Sequence, residues 1–259
     1  MDPPARPLRR RSKLHERSCF LAKDERSCYF SGVAEVTEGA QRPQRSGAAS
    51  DADRSDGRRE RGRRTRASIL ATAVDVASVE GLEGLTIGRL ATELGMSKSG
   101  LFAHFGSKEE LQLATIEAAR DVFIEEVVHP VRIAGRGLPR LRALLDAHLA
   151  YMRRNVFSGG CFFGAARMEF DSRPPGPVRD AIAQQTDDWL ALLAARVHAA
   201  QDAGHLDPDI EPEQLAFELD ALQAAANVSY QLRGDETVFD RAARAIEARL
   251  AGATVAGAG

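Results

Sequence analysis

The chain has 259 residues, of which 44% are hydrophobic and 28% are charged, and its formal net charge is −2. This composition is that of an ordinary globular protein of one or two domains. The longest uninterrupted apolar run, Trp189–Ala195, is far short of the roughly 20 residues that cross a bilayer, so a transmembrane protein is excluded and no membrane partner is expected. Three cysteines without a CxxC spacing argue against a disulfide framework and a zinc site, so we expect a cytoplasmic protein with no metal and no cofactor.

The charge is unevenly distributed along the chain. Residues 58–108 carry 9 Lys and Arg against 5 Asp and Glu, whereas residues 109–259 carry 15 against 23. A basic segment followed by an acidic body is typical of a polyanion-binding module joined to a region that repels polyanions. Taken alone this pattern is weak, because a run of charge is more often a solvated surface.

The two ends of the chain lack the patterns of folded structure. Residues 1–60 combine scattered Pro, Gly, Ser and Arg without sustained apolar periodicity, which predicts a disordered tail. Residues 251–259 are also expected to be disordered. The arginines next to the first helix, among them Arg63 and Arg64, are suited to follow a DNA backbone.

Between these tails almost every segment has helical periodicity, which starts with three short elements. The first predicted helix covers residues 64–80. The second begins after Thr86, a suitable N-cap, and ends at Gly95. The third, residues 98–105, is capped by Ser97.

The rest of the chain is also predicted to be helical, and no sustained period-2 pattern of β-branched residues occurs. Glycines and prolines separate the segments, since each residue type ends or opens a helix. The fold class is therefore predicted to be all-α. In chain order, the further helices are expected at residues 107–129, 139–155, 161–170, 177–204, 211–232 and 236–250.

Residues 87–106 have the pattern of a helix-turn-helix. Gly95 can adopt the positive φ that a three-residue turn needs, and the hydroxyl of Ser97 can accept hydrogen bonds from the free amides of the next helix. An alternative is a purely structural helix-turn-helix inside an unrelated bundle. Base edges are read by the exposed start of the second helix of the motif. This start carries Lys98, Ser99 and Gly100.

Four segments carry a resemblance to a known family: Glu80–Leu82, Leu85–Ile87, Gly95–Phe105 and Ser107–Leu111. With them, residues 64–124 resemble the DNA-binding domain of the tetracycline-repressor (TetR) family of bacterial transcriptional regulators. The body from Gly160 onward is similar to one of the family's C-terminal domain types. The resemblance implies a helix-turn-helix DNA-binding domain at residues 61–124 and a helical effector-binding and dimerisation domain at residues 125–250.

The resemblance also implies roles in DNA binding. Thr86, His104 and Lys108 match positions that hold DNA phosphates, which set register and carry no base information. Phe102 departs from the family pattern, which has a tyrosine whose hydroxyl reaches a phosphate. The positions expected to contact a double-stranded, palindromic operator are Arg63, Arg64, Thr86, Ser97, Lys98, Ser99, Gly100, Phe102, His104 and Lys108.

A single helix-turn-helix offers little contact area, so such proteins ordinarily pair to read two half-sites about 34 Å apart. The last two helices are the predicted homodimer surface, because small and apolar residues recur there at helical spacing. The alternative is that this stripe packs onto its own body. The stripe consists of Leu215, Leu219, Leu222 and Ala226. The small residues Ala221, Ala224, Ala225 and Ala226 keep the helix thin enough for close approach.

The resemblance further implies that a small-molecule effector binds between helices of the C-terminal region. Apolar and aromatic side chains favour an apolar or aromatic molecule. The alternative for each of these side chains is ordinary core packing. For Cys161, a buried thiol that packs in the core is a better interpretation than a redox sensor. The residues assigned to this site are His148, Tyr151, Cys161, Phe162, Met168 and Trp189.

No catalytic motif accompanies these features. The sequence contains no GxSxG, HExxH, GxGxxG or phosphate-binding loop. We therefore expect a sequence-specific transcriptional regulator that is not an enzyme, most simply a repressor. The alternative is an all-α small-molecule-binding or enzymatic protein with a vestigial helix-turn-helix.

Overall fold

The computed structural model describes residues 51–255, and within them the fold is all-α, as predicted. The predicted disorder of residues 1–50 and 256–259 lies outside the described residues. Apart from one isolated bridge between Leu206 and Thr254, residues 51–255 contain no β-structure. The helices are α1 (Asp51–Gly84), α2 (Ile87–Leu94), α3 (Lys98–Phe105), α4 (Lys108–Phe123), α5 (Leu138–Arg153), α6 (Phe162–Phe170), α7 (Pro177–Asp202), α8 (Pro212–Arg233) and α9 (Thr237–Ala251).

Helix α1 begins earlier than predicted, so the expected disorder of residues 51–60 is wrong. The carboxylate of Glu60 pairs with Arg63 and Arg64, three and four residues along the same helix. Such i,i+3 and i,i+4 pairs stabilise residues 57–66, which contain no apolar side chain. The regular helix is interrupted at Gly81, where φ is 79°, at the position where the sequence predicts its end.

The C-terminal end is also more ordered than predicted, because residues 251–255 pack against the loop between α7 and α8. Ala253 is fully buried, and its carbonyl accepts a 2.9 Å hydrogen bond from the Asp207 amide. Next to it, Thr254 forms the isolated bridge with Leu206. These backbone contacts hold a segment that has no helical periodicity of its own.

Helix α4 is the element that joins the N-terminal helices to the rest of the protein. It packs against α1 on one side and α7 on the other. Its apolar residues include Leu111, Ile116 and Phe123, all of which are buried. After Phe123 the chain continues as a π-helical turn, Ile124–Val128, and a 3-10 turn, Pro130–Ile133. Helix α4 is therefore packed against helices from both parts of the chain.

Candidate DNA-binding surface and buried polar cluster

The helix-turn-helix is capped at each of its joints. The Thr86 hydroxyl accepts a 3.0 Å hydrogen bond from the Arg89 amide at the start of α2. At the turn, Gly95 has φ 62°, and the next amide, that of Met96, donates to the Ala91 carbonyl. The Ser97 hydroxyl accepts a 3.1 Å hydrogen bond from the Gly100 amide and so opens α3. These caps satisfy the free backbone groups of two short helices and fix their crossing.

Helix α3 has one buried face and one exposed face. Leu101 and Phe105 are buried in the core. Lys98, Ser99 and Phe102 point to solvent, and Phe102 is 55% exposed. The residues predicted to read bases therefore lie on the outer side of the motif, and intact caps give no support to a vestigial helix-turn-helix.

The Lys98 side chain lies across the start of α2. A Cβ placed on Gly88 would be 3.4 Å from Lys98 Cε, 3.6 Å from Lys98 Nζ and 3.9 Å from the Thr86 hydroxyl. The ammonium group and the hydroxyl both lie beside Gly88, at the positive end of the α2 dipole. A cation and a hydroxyl at the positive end of a helix dipole suit a phosphate.

Another predicted phosphate contact, Lys108, is engaged within the protein. Lys108 Nζ donates to the Glu83 carbonyl at 2.8 Å and to the Glu83 carboxylate at 3.0 Å. This hydrogen bond lowers the pKa of the Glu83 carboxyl. The carbonyl of His104 accepts a 2.6 Å hydrogen bond from Arg66, whose guanidinium lies 4.4 Å from the centre of the Phe105 ring. Arg66 therefore ties α1 to the end of α3.

A second candidate site lies inside the C-terminal helices, where α8 presents polar side chains to the core. Asp220 accepts a 3.0 Å hydrogen bond from the Trp189 indole and a 2.9 Å hydrogen bond from Arg167. Asn227 accepts one from the Cys161 amide at 3.1 Å. Since buried polar groups are costly without partners, these bonds stabilise a polar layer within an apolar core.

His148 is the centre of this layer. Gln223 donates to the Leu145 carbonyl, which orients its amide so that its oxygen accepts a 3.0 Å hydrogen bond from His148 Nδ1. The proton of the ring is thereby placed on Nδ1, and Nε2 faces the Cys161 sulfur at 3.8 Å. Burial lowers the pKa of His148 to about 4 and raises the pKa of the Cys161 thiol. A protonated thiol is a poor nucleophile, which favours packing over redox sensing for Cys161.

Aromatic rings surround the polar layer. Phe123, at the end of α4, makes edge-to-face contacts with His148, Tyr151, Phe163 and Trp189, with ring centres 5.3–6.4 Å apart. The hydroxyl of Tyr151 is buried and has no hydrogen-bond partner among the described residues. The site is therefore an aromatic shell with one free polar group.

The structure brings most of the predicted effector residues together and separates one of them. His148, Tyr151, Cys161, Phe162 and Trp189 are all buried in this region. The placement of Met168 in the site is wrong: its side chain is 67% exposed. Met168 lies outside the buried face of α6. That face is formed by residues spaced four apart, which are Phe162, Ala166 and Phe170.

Sequence reasoning missed Phe123, Asp220, Gln223 and Asn227. The three polar residues on α8 carry a readable signal, because they recur at i, i+3 and i+7 within an apolar helix. A polar residue on the buried face of a helix indicates an internal hydrogen-bond network. The sequence around Phe123 gives no such indication, because its contacts are with aromatic rings that lie on other helices.

Helix α6 connects the buried layer to α1. The carboxylate of Glu169 accepts 2.8 Å hydrogen bonds from the amides of Leu82 and Glu83, just beyond the kink at Gly81. Two residues earlier, Arg167 binds Asp220 in the polar layer. One short helix therefore contacts both the buried layer and the segment that leads into the helix-turn-helix.

The predicted dimer stripe faces the interior of its own chain, so its assignment to the dimer surface is wrong. Leu215, Leu219 and Ala226 are buried, and Leu222 packs against the core. The opposite face of α8 carries a second apolar stripe at spacings of four, four, three and four residues, and this one is exposed. It consists of Phe217, Ala221, Ala225, Val228 and Leu232.

Residues 51–255 contain neither a metal-binding cluster nor a membrane-spanning helix. Within that span, no group of three or more His, Cys, Asp or Glu side chains is arranged to hold a metal ion. None of the helices described there combines the length and apolarity needed to cross a bilayer.

We expect His148 to make the stability of the fold pH-dependent. The folded state holds the ring neutral down to about pH 4, whereas the unfolded chain takes up a proton near pH 6.5. The unfolded state therefore binds more protons in this interval, and stability falls with falling pH, by up to about 3 kcal/mol. Urea unfolding of the wild type and His148→Gln between pH 4 and 7 measures this, and equal pH slopes in the two proteins would contradict it.

Comparison with known proteins agrees with this geometry. Residues 69–115 match the family model described as bacterial regulatory proteins, tetR family, and residues 137–246 match the model of the tetracyclin repressor-like C-terminal domain. The HTH-type transcriptional regulator TcmR of Streptomyces glaucescens is 28% identical over 177 residues, which span 67% of this chain and 76% of that protein.

Solved structures show the same fold. A TetR transcriptional regulator from Chloroflexus aurantiacus is 23% identical and superposes with a TM-score of 0.70 over 75% of this chain and 98% of the other. AibR, in complex with isovaleryl coenzyme A and operator DNA, is 22% identical, with a TM-score of 0.57 over 70% and 97% of the two chains. With matches to both family models across its two halves, the chain belongs to the TetR family of bacterial transcriptional regulators.

Proposed function

We propose that the protein is a dimeric repressor that binds a palindromic operator in the cytoplasm and leaves it when a small, neutral, apolar or aromatic molecule binds between its helices. The observation that carries this proposal is the outward face of α3, where Lys98, Ser99 and Phe102 are exposed on a helix that is capped and packed on its other side. The same chain holds a buried aromatic and polar layer behind α4 and α6.

For DNA binding, the proposed domain covers residues 61–124. Lys98 and Thr86 share one phosphate at the start of α2, while Ser99 and Gly100 approach base edges. Gly100 is suited to close approach because it has no side chain to hold base edges away from the α3 backbone. His104, Lys108 and the arginines of α1 are the proposed flanking phosphate contacts.

For pairing, the exposed stripe on α8 that runs from Phe217 to Leu232 replaces the stripe predicted from the sequence. Contiguous exposed apolar surface marks an interaction site, and the small residues Ala221 and Ala225 at its centre allow two helices to approach closely. Helix α9 lies alongside and is joined to α8 by the ion pair between Arg249 and Glu218. A two-fold axis through this surface repeats α3 at a second half-site.

For release, the proposed effector site is the aromatic layer around His148 within residues 125–250. The ion pair of Arg167 and Asp220 is internally neutral and His148 is uncharged, so a charged effector would have no partner for its charge. The free hydroxyl of Tyr151 suits a hydrogen-bond acceptor on the effector. Displacement of Arg167 would move α6 and loosen the hold of Glu169 on the end of α1.

The arginines of α1 give a test of phosphate binding. Among the described residues, Arg63 and Arg64 pair only with Glu60 on the exposed helix surface, and such pairs contribute little to stability. We expect the double substitution of Arg63 and Arg64 by Ala to weaken binding to specific and unrelated duplexes alike. The slope of log affinity against log salt should become shallower by about 0.9 for each phosphate that the variant no longer neutralises.

The control for this pair is Arg154→Ala, which removes an exposed arginine bound to Glu126 in the other half of the chain. Fluorescence anisotropy over a range of salt concentrations measures all three proteins. An unchanged salt slope in the double variant would remove α1 from the DNA-binding surface.

Effector binding can be followed through Trp189, the single tryptophan of the chain. We expect neutral aromatic compounds to change Trp189 fluorescence and to release a labelled operator duplex over the same concentration range. His148→Leu should weaken both responses equally. Compounds that change the fluorescence without releasing DNA would contradict the proposed link between the two sites.

A further inference from the structure

The outer face of α3 contains more apolar surface than phosphate binding requires. Phe102 is 55% exposed, and Ala103 beside it is also exposed. Phe102 follows Lys98 by four residues and Ser99 by three, so all three side chains share one face of the helix. This face therefore combines one cation, one hydroxyl and a continuous apolar patch.

The position of the ring matters because the phenyl group has no hydrogen-bonding atom. It cannot donate to a phosphate, and α3 presents it next to the residues assigned to base edges. The major groove exposes one apolar group, the C5-methyl of thymine, and Phe and Ala are side chains that contact it.

We propose that Phe102, supported by Ala103, contacts the C5-methyl group of a thymine in each half-site and so favours thymine at that one position. The proposal rests on the proposed operator binding and adds a base identity to it. Covering a methyl group contributes about 0.8 kcal/mol, which corresponds to a roughly three- to fivefold change in affinity for each half-site.

The probe is a duplex selected by the full-length protein from a random pool, with each thymine replaced in turn by deoxyuridine, which lacks only the methyl group. At one position in each half-site, we expect the replacement to weaken wild-type binding about three- to fivefold. Phe102→Ala should bind the unmodified duplex more weakly and be insensitive to uracil at that position. Phe102→Tyr keeps the ring and should keep the sensitivity, and Ile133→Ala, which truncates an exposed apolar side chain on the 3-10 turn, should behave as wild type.

Two other outcomes would overturn the proposal in distinguishable ways. If a selected duplex is bound specifically but no uracil position distinguishes the wild type from Phe102→Ala, the ring reads no methyl group and operator binding still stands. If no sequence is enriched and low-salt binding is the same for all duplexes, operator binding itself fails and the base assignment fails with it.

Discussion

Adding one methyl group at Gly159 is expected to destabilise the protein by about 3 kcal/mol, because the site is filled by backbone and not by a movable side chain. A Cβ at this position would lie 1.9 Å from the Ser78 carbonyl oxygen and 2.3 Å from its carbon. Residues 158–159 are also bound to α1 by hydrogen bonds from Ser158 to Asp75 and from the Gly159 amide to the Ser78 hydroxyl. Gly159→Ala must therefore separate α1 from the segment that precedes α6.

Urea unfolding of Gly159→Ala measures this effect, and Gly176→Ala is its matched control. Gly176 precedes α7 in extended conformation, and no atom lies within 4 Å of where its Cβ would be. The same methyl group should cost nothing there. If both variants unfold at the wild-type urea concentration, the close contact between α1 and residues 158–159 does not exist in solution.

Removal of the Asp220 carboxylate is expected to have an effect of similar size. Asp220→Ala leaves the Arg167 guanidinium and the Trp189 indole N–H without their shared acceptor in a buried layer. Breaking a buried ion pair by removing one partner typically costs about 3–5 kcal/mol. We expect a loss of about 2–4 kcal/mol, since the Arg167 side chain reaches the surface in part and can regain water.

The control is Glu247→Gln, which removes the negative charge from an ion pair with Arg142 on the surface. Exposed pairs contribute about 0–1 kcal/mol, so this variant should unfold almost as the wild type does. Chemical unfolding monitored by Trp189 fluorescence and by circular dichroism distinguishes the two. Equal, small losses of stability in both variants would show that Asp220 is not a buried acceptor.

The sequence was sufficient to predict the helices and the helix-turn-helix. Glycine and proline mark the ends of the helices, so most predicted boundaries lie within two residues of the observed ones. The motif was also predictable in detail, because Thr86, Gly95 and Ser97 act through their own local backbone. Local chemistry of this kind is present in the sequence without knowledge of the fold.

Features that depend on contacts between distant segments could not be predicted in this way. Helix α8 is apolar on two faces, so periodicity alone does not say which stripe meets the core. The sequence therefore wrongly predicts that the stripe of Leu215 and Leu219 contacts a second subunit. Lys108 is another example, because its ion pair with Glu83 joins residues 25 positions apart. The role of Phe123 depends on rings from three other helices.

The central claim is that the outward face of α3 reads operator DNA, and the most direct test compares the wild type with a Lys98→Ala, Ser99→Ala double variant. Each protein is titrated into a duplex selected by the wild type, in the presence of excess unrelated DNA. The structure predicts salt-sensitive, sequence-specific binding by the wild type and loss of that preference in the double variant, which remains folded because both side chains are exposed. Equal preference for the selected duplex in both proteins would contradict it.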